Sequence, residues 1–365
     1  MIIDTPSSPS PTRYTVDGSA GFEQWLSQSL EQLGAAVAAL PVCRQIFAVI
    51  LGGSYGRGEG GIFHAPDGRE ALYNDLDLFV LVHGIERRER RRVDQVLREL
   101  GSAWSAKLGV DVDFAPCRTV RSLHRVGHTL MYRELKAGHR LLYGPVDALA
   151  SLPVFDWQQL PFAEGNRLLL NRGTGLALAA HRLRQPEPGG ENIDFIARNI
   201  FKALLGCGDA FLIARRQYGP GIRERARSLR QAAPAELADW YEKAMACKFQ
   251  PARPELEALP DLWRQALALW LSTCRNALEA ITGRELPTPE AQRDALKNAA
   301  CLHEGSRWRN CLLNIRYHTG NLLQHPRRQL LIELHRYLTT HRQLTDYRPE
   351  ERQWKDYFQL WQRFN

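Results

Sequence analysis

No stretch of the 365 residues approaches the roughly 18 consecutive apolar side chains that a membrane-crossing helix needs. The start, Met1-Ile2-Ile3-Asp4-Thr5-Pro6, lacks the basic segment and apolar core of a secretory leader. A cytoplasmic location with no membrane partner is therefore the expectation. Cysteine is sparse: Cys43, Cys117, Cys207, Cys247, Cys274, Cys301 and Cys311 are odd in number, scattered, and form no C-x-x-C. That argues against a disulfide framework or a cysteine-ligated metal, and for reduced, mostly buried thiols. Nothing fits G-x-x-x-x-G-K-S/T, and no strand-to-helix turn carries G-x-G-x-x-G, so neither a P-loop nor a dinucleotide fold is indicated. No repeat recurs at a fixed period.

What is present suits a globular chain of two domains, each long enough to bury a core, with an ordinary hydrophobic content of 44%. Residues 1–18 are rich in Ser, Thr and Pro and read as a flexible tail. The character changes near residue 151, where β-branched runs give way to long Leu/Ala/Arg segments broken by Pro and Gly. The expected division is an α/β (α+β) domain with a short mixed sheet over 19–150, then an all-α helical domain over 151–365. Charge follows the same boundary: residues 1–150 hold 17 Lys+Arg and 17 Asp+Glu, leaving 31 and 23 for the rest, so the net +8 sits in the second part. Such an excess is compatible with an anionic partner such as RNA, or with drawing a nucleotide toward a cleft.

The chemistry concentrates in Leu51-Gly52-Gly53-Ser54-Tyr55-Gly56-Arg57-Gly58-Glu59-Gly60-Gly61 and Tyr73-Asn74-Asp75-Leu76-Asp77-Leu78-Phe79-Val80. Phe47–Leu51 reads as a buried strand running into glycines, whose backbone N–H groups can converge on an anion. Ser54 adds a hydroxyl donor. Arg57 either adds a cation for phosphate or pairs with Glu59. Asp75 and Asp77 begin an apolar strand and, two residues apart, share a face. Two carboxylates so placed repel unless a cation neutralises them, and with no His or Cys nearby the fitting ion is Mg²⁺ or Mn²⁺. A third strand, Gly109–Ala115, puts Asp111 and Asp113 on its polar face.

Glycine-glycine-serine, an acidic pair on the next strand, then a helix and a strand with a third carboxylate resembles the DNA polymerase beta-like nucleotidyltransferase superfamily over residues 45–145. The segment Met131–Gly144 is similar to the helix and "LYG" element that closes small members. A longer interval between Ser54 and Asp75, with a turn at Phe63–Gly68, departs from the minimal pattern. The resemblance implies that Gly52, Gly53 and Ser54 hold the phosphates of an NTP. Asp75 and Asp77 would bind two Mg²⁺ (or Mn²⁺) ions, while Asp113, or alternatively Asp111, completes the metal set and helps deprotonate the acceptor. A nucleoside monophosphate would pass to a hydroxyl on a small molecule, a protein or an RNA end, with release of pyrophosphate. The active site would lie in the groove between the two domains. The alternatives are a non-catalytic or toxin/antitoxin-type nucleotide-binding component, or an RNA-binding helical protein with a vestigial core.

Elsewhere, helical spacing marks Gly21–Leu40, Ala163–Leu183, Asn192–Tyr218, Pro234–Lys248, Pro254–Ile281, Pro289–Leu302, Trp308–Leu323 and Arg327–His341, with a turn at Gln185–Gly190. The basic run Glu86–Arg92 continues into Val93, Val96, Leu97 and Leu100 and reads as the solvated face of a helix. Drug-modifying relatives pack a helix like Asn199–Asp209 over the nucleotide, which by resemblance gives Lys202 a phosphate contact. Otherwise Lys202 and Asp209 are a surface pair. Arg336 and His341 have the spacing of an R-x4-H ribonuclease motif, which chance also produces.

Overall fold

The computed structural model describes residues 13–185, 189–251, 254–319, 321–344 and 352–364. Residues 1–12 of the expected tail and Pro186–Pro188 of the expected turn lie outside them. Two compact units emerge, Met1–Phe155 with Lys248–Pro251, and Asp156–Cys247 with Ala252–Asn365.

Strand periodicity builds the first unit. Helix α1 (Ala20–Ala38) starts at Ser19, whose hydroxyl accepts the Phe22 N–H, and stops before Pro41. Strand β1 (Ile46–Leu51) leads into the single turn α2 (Gly53–Gly56), and a hairpin of β2 (Ile62–His64) and β3 (Glu70–Leu72) follows. Then come β4 (Leu76–Val82), α3 (Arg87–Leu108), β5 (Val112–Phe114), β6 (Arg118–Thr119), α4 (Leu130–Ala137) and β7 (Arg140–Tyr143). The sheet runs β5-β4-β1-β7, with β6 also on β4; β1 is antiparallel to both neighbours, while β4 is parallel to β5 and β6.

Each face of this sheet buries a different set. Val49, Leu51, Leu76, Leu78, Val80 and Val82 pack with apolar residues of α1 and α3, among them Leu26, Leu33, Val93 and Leu97. On the other face Ala48, Ile50 and Leu81 pack with Tyr132 and Leu135 of α4 and with Leu149 and Leu152. Along β4 the residues of that second face read Asp77, Phe79, Leu81, so the strand passes from an exposed carboxylate into a core within five residues. The basic run is the outer side of α3, where Arg87, Arg88, Arg91 and Arg92 are exposed.

Two expectations change here. The tail does not reach residue 18: the backbone N–H groups of Tyr14 and Thr15 donate to the Glu23 carboxylate, and Val16 donates to Gly60. The third strand is confined to Val112–Phe114, which leaves Asp111 outside it.

The second unit is helical: α5 (Phe162–Leu183), α6 (Gly190–Ala214), α7 (Ile222–Ala232), α8 (Ala235–Phe249), α9 (Leu259–Thr282), α10 (Pro289–Asn298), α11 (Arg307–Tyr317), α12 (Pro326–Thr340) and α13 (Arg352–Phe364). Arg182 on α5 bonds Asn192 on α6, and Gly206 of α6 lies against Arg172 of α5, so the pair runs antiparallel. On α9, Trp263 and Trp270 are fully buried, and their indole N–H groups donate to the carbonyls of Leu176 and Leu169 on α5. Helix α11 ends six residues before the expected Leu323. His318 turns left-handed there, and the Asn314 amide donates to the carbonyls of Leu322 and Gln324, folding the chain back on itself. Likewise α9 begins at Leu259, after a 3-10 turn, rather than at Pro254. No helix among the described residues is long and apolar enough to cross a membrane.

Candidate active site on the sheet edge

Gly52 and Gly53 connect β1 to α2, and the sheet sets where they sit. The Gly52 N–H donates to the Asp77 carbonyl at 2.9 Å. Gly53 has φ +60°, and a Cβ there would fall 2.0 Å from Asp77 Oδ2; one on Gly52 would fall 2.6 Å from the Phe79 ring. Only a residue without a side chain lets the loop backbone lie this close to the carboxylate. Ser54 follows, half-buried, its hydroxyl without a hydrogen-bond partner among the described residues.

The acidic residues come from two neighbouring strands. Asp75 is half-buried immediately before β4, and Asp77 is exposed within it. Asp77 is the cross-strand partner of Asp113 on β5, so both point to one face from backbones about 4.8 Å apart. Asp111 precedes β5, and its carbonyl accepts the Leu76 N–H at 2.8 Å. Burial first, then the charges of Asp111 and Asp75, push the Asp113 carboxyl above its ordinary range. The acids therefore share one electrostatic field.

Tyr55 holds the loop to the acids, a part the motifs did not reveal. Its buried hydroxyl accepts from the Tyr73 and Asn74 N–H groups at 3.1 and 3.3 Å and donates to the Gly61 carbonyl at 2.8 Å. Asn74 Oδ1 in turn accepts from the Gly61 N–H at 2.8 Å. Burial pushes the Tyr55 phenol up to about 12, so it stays a neutral donor. Its only sequence signal is a large aromatic inside a glycine-rich loop.

Other expected site residues are placed differently. Arg57 bonds Glu59 at 3.2 Å and Glu134 of α4 at 3.1 Å, the pairing that competes with a phosphate role. Lys202 is half-buried on α6, in the other unit. Its supposed surface mate Asp209 binds the buried Arg225 at 2.9 Å and the Tyr241 hydroxyl at 2.9 Å. His341 caps α12 with Nδ1 at 2.9 Å from the Tyr337 carbonyl, an ordinary helix end. Several arginines of the helical unit are matched to acids, including Arg230 with Asp239 and Glu242, and Arg198 with Asp194. The expectation of RNA gains no support from them.

The donor set suits a hard divalent cation: carboxylates only, with no His or Cys among them. Among the described residues, no three His, Cys, Asp or Glu side chains are already gathered as a ligand set.

No protein-family model matches the sequence, and no curated protein matches it. A solved structure, that of spectinomycin adenyltransferase AAD(9) from Enterococcus faecialis with ATP and spectinomycin, is similar at 12% identity and a TM-score of 0.42. The match covers 67% of this chain and 98% of that one. At that identity and superposition, the function is left to the geometry of the site.

Proposed function

We propose that the first unit transfers a nucleoside monophosphate from an NTP to a hydroxyl acceptor and releases pyrophosphate. The observation that carries this reading is the seat of the Asp77 carboxylate against the left-handed Gly53, with Asp113 beside it across the strand pair. An anion-binding loop and a paired acidic edge are thereby joined at one point.

The N–H groups of Gly53 and Ser54 and the Ser54 hydroxyl receive the β- and γ-phosphates. Asp75 and Asp77, with Asp113, would hold Mg²⁺ or Mn²⁺, which supplies charge neutralisation for the triphosphate and the departing pyrophosphate. Register favours Asp113 over Asp111 as the third carboxylate. Asp113 takes the proton of the attacking hydroxyl as its oxygen bonds to the α-phosphorus, and the bond from that phosphorus to the β-bridging oxygen breaks. Arg57, engaged by Glu59 and Glu134, anchors the loop to α4 rather than reaching for phosphate.

The test is incubation of the protein with each α-labelled NTP, Mg²⁺ or Mn²⁺ and fractionated cell extract, beside Asp77→Ala. Label moving into one fraction with the intact chain alone supports transfer and identifies the acceptor class. Label moving equally with Asp77→Ala would falsify the assignment.

A further inference from the structure

Beyond the acids, a cavity of about 330 Å³, within the size range of small-molecule sites, opens beside β4 and takes its lining from both faces of the sheet. Its origin is local. Sheet pairing beside β4 is interrupted between β5 and β6, where Ala115 and Pro116 bring little side chain and Pro116 brings no N–H. The space left is closed by α4 and the segment 122–123. Phe79, Leu81, Leu123 and Leu135 form apolar walls. Two arginines, Arg90 and Arg118, also line it, and no Asp or Glu does. Neither arginine has an ion-pair partner among the described residues.

Tyr132 stands beside Arg118. The guanidinium lies 5.8 Å from the ring centroid, and its charge acts on the hydroxyl, partly offsetting the burial that raises that group. The residue is 5% exposed, and its hydroxyl is buried without a hydrogen-bond partner. An unpaired buried hydroxyl is uncommon in a finished core and is a cost that a polar ligand can remove.

We propose that this cavity binds a small amphipathic anion, its ring or branched body on the apolar walls and a single carboxylate or phosphate head at Arg118 and Arg90. Apolar walls with a few polar groups at one end give both affinity and orientation. A charged head on arginine supplies the stronger class of hydrogen bond. The site does not depend on the transfer chemistry, since none of the catalytic groups belongs to its lining.

Titration calorimetry of the full chain with phenyl phosphate and with benzoate tests this, using phenol and inorganic phosphate as the two half-ligands. At least one aromatic anion is expected to bind ten or more times tighter than either half-ligand. Which of the two binds identifies the head. Arg118→Met should weaken that binding about tenfold, as should Arg90→Met, the second variant in case the first does not fold. Binding should persist in Asp77→Asn, which separates this site from the reading of the acidic edge. The proposal is overturned if neither aromatic anion binds, if a half-ligand binds as well, or if the arginine variants bind unchanged.

Discussion

Aspartates do opposite work in the two units. On α6, Asp209 is met by the Arg225 guanidinium and the Tyr241 hydroxyl, both at 2.9 Å, and Arg225 also donates to the carbonyls of Gly219 and Pro220. Its charge is satisfied by the fold. On the sheet edge, Asp75, Asp111 and Asp113 have no ion-pair partner among the described residues, and Asp113 is pushed up by burial and by its own neighbours. The first cluster stabilises the chain by itself. The second brings like charges together, which is the arrangement that the proposed function assigns to a cation. Acidic residues in a sequence are therefore not equivalent, and a matching base within reach separates the structural ones from candidates for chemistry.

Exchanging charge for neutrality at each site should break the comparison most sharply. Asp77→Asn is expected to lower nucleotidyl transfer about a hundredfold to a thousandfold, with the melting temperature nearly unchanged. Asp209→Asn should instead destabilise the helical unit by about 3 kcal/mol, because it removes the carboxylate charge beside the buried Arg225. Denaturant melts and transfer rates on both variants check this. Equal losses of stability would remove the distinction.

Acid should act on the helical unit through His335. This side chain is fully buried, with Nε2 at 2.9 Å from Gln292 Oε1, and burial followed by the Arg293 charge holds it down to about 4, against a small opposing pull from Glu290. Between pH 6.5 and 4 the unfolded chain takes up a proton that the folded chain refuses. Stability is full above pH 6.5 and falls as pH drops through this window, by about 3 kcal/mol in all. His325, also held to about 4 by burial, adds a fall of the same sign. Chemical denaturation at stepped pH should show a shallower slope for His335→Gln; an unchanged slope would count against the assignment.

Smaller effects refine the acidic side. Tyr55→Phe should cost about 2 kcal/mol, since it strands two N–H groups and a carbonyl. Transfer should fall with it as the loop loosens from Asp75. Ser54→Ala should leave stability within about 0.5 kcal/mol, because the hydroxyl has no hydrogen-bond partner among the described residues. Its effect should be confined to transfer, about tenfold, read as a change in the KM for NTP.

Local pattern determined much of this protein. Buried runs and helical spacing located β1, β4, α1, α5 and α6 within a few residues, because each of these segments must hide its own apolar face wherever it packs. Helical spacing did not mark α7, which is Arg-rich and buries few residues beyond Ile222, Ala226 and Leu229, or α13, whose apolar residues are Trp354, Tyr357, Phe358, Trp361 and Phe364. Glycine, serine and acid spacing brought Gly53, Ser54, Asp75 and Asp77 forward as candidates.

Only the tertiary structure set Asp113, and not Asp111, opposite Asp77, since that pairing is a matter of register against β4 and not of either residue's neighbours in sequence. It also paired Arg57 with Glu134, 77 residues away, and set the Tyr55 hydroxyl against the Tyr73 N–H, 18 positions on. It closed the cavity beside Phe79 as well. The reason is common to all of these. Periodicity reports which face of an element is buried, whereas a partner distant in sequence is set by how the elements are stacked, and no local window contains that information.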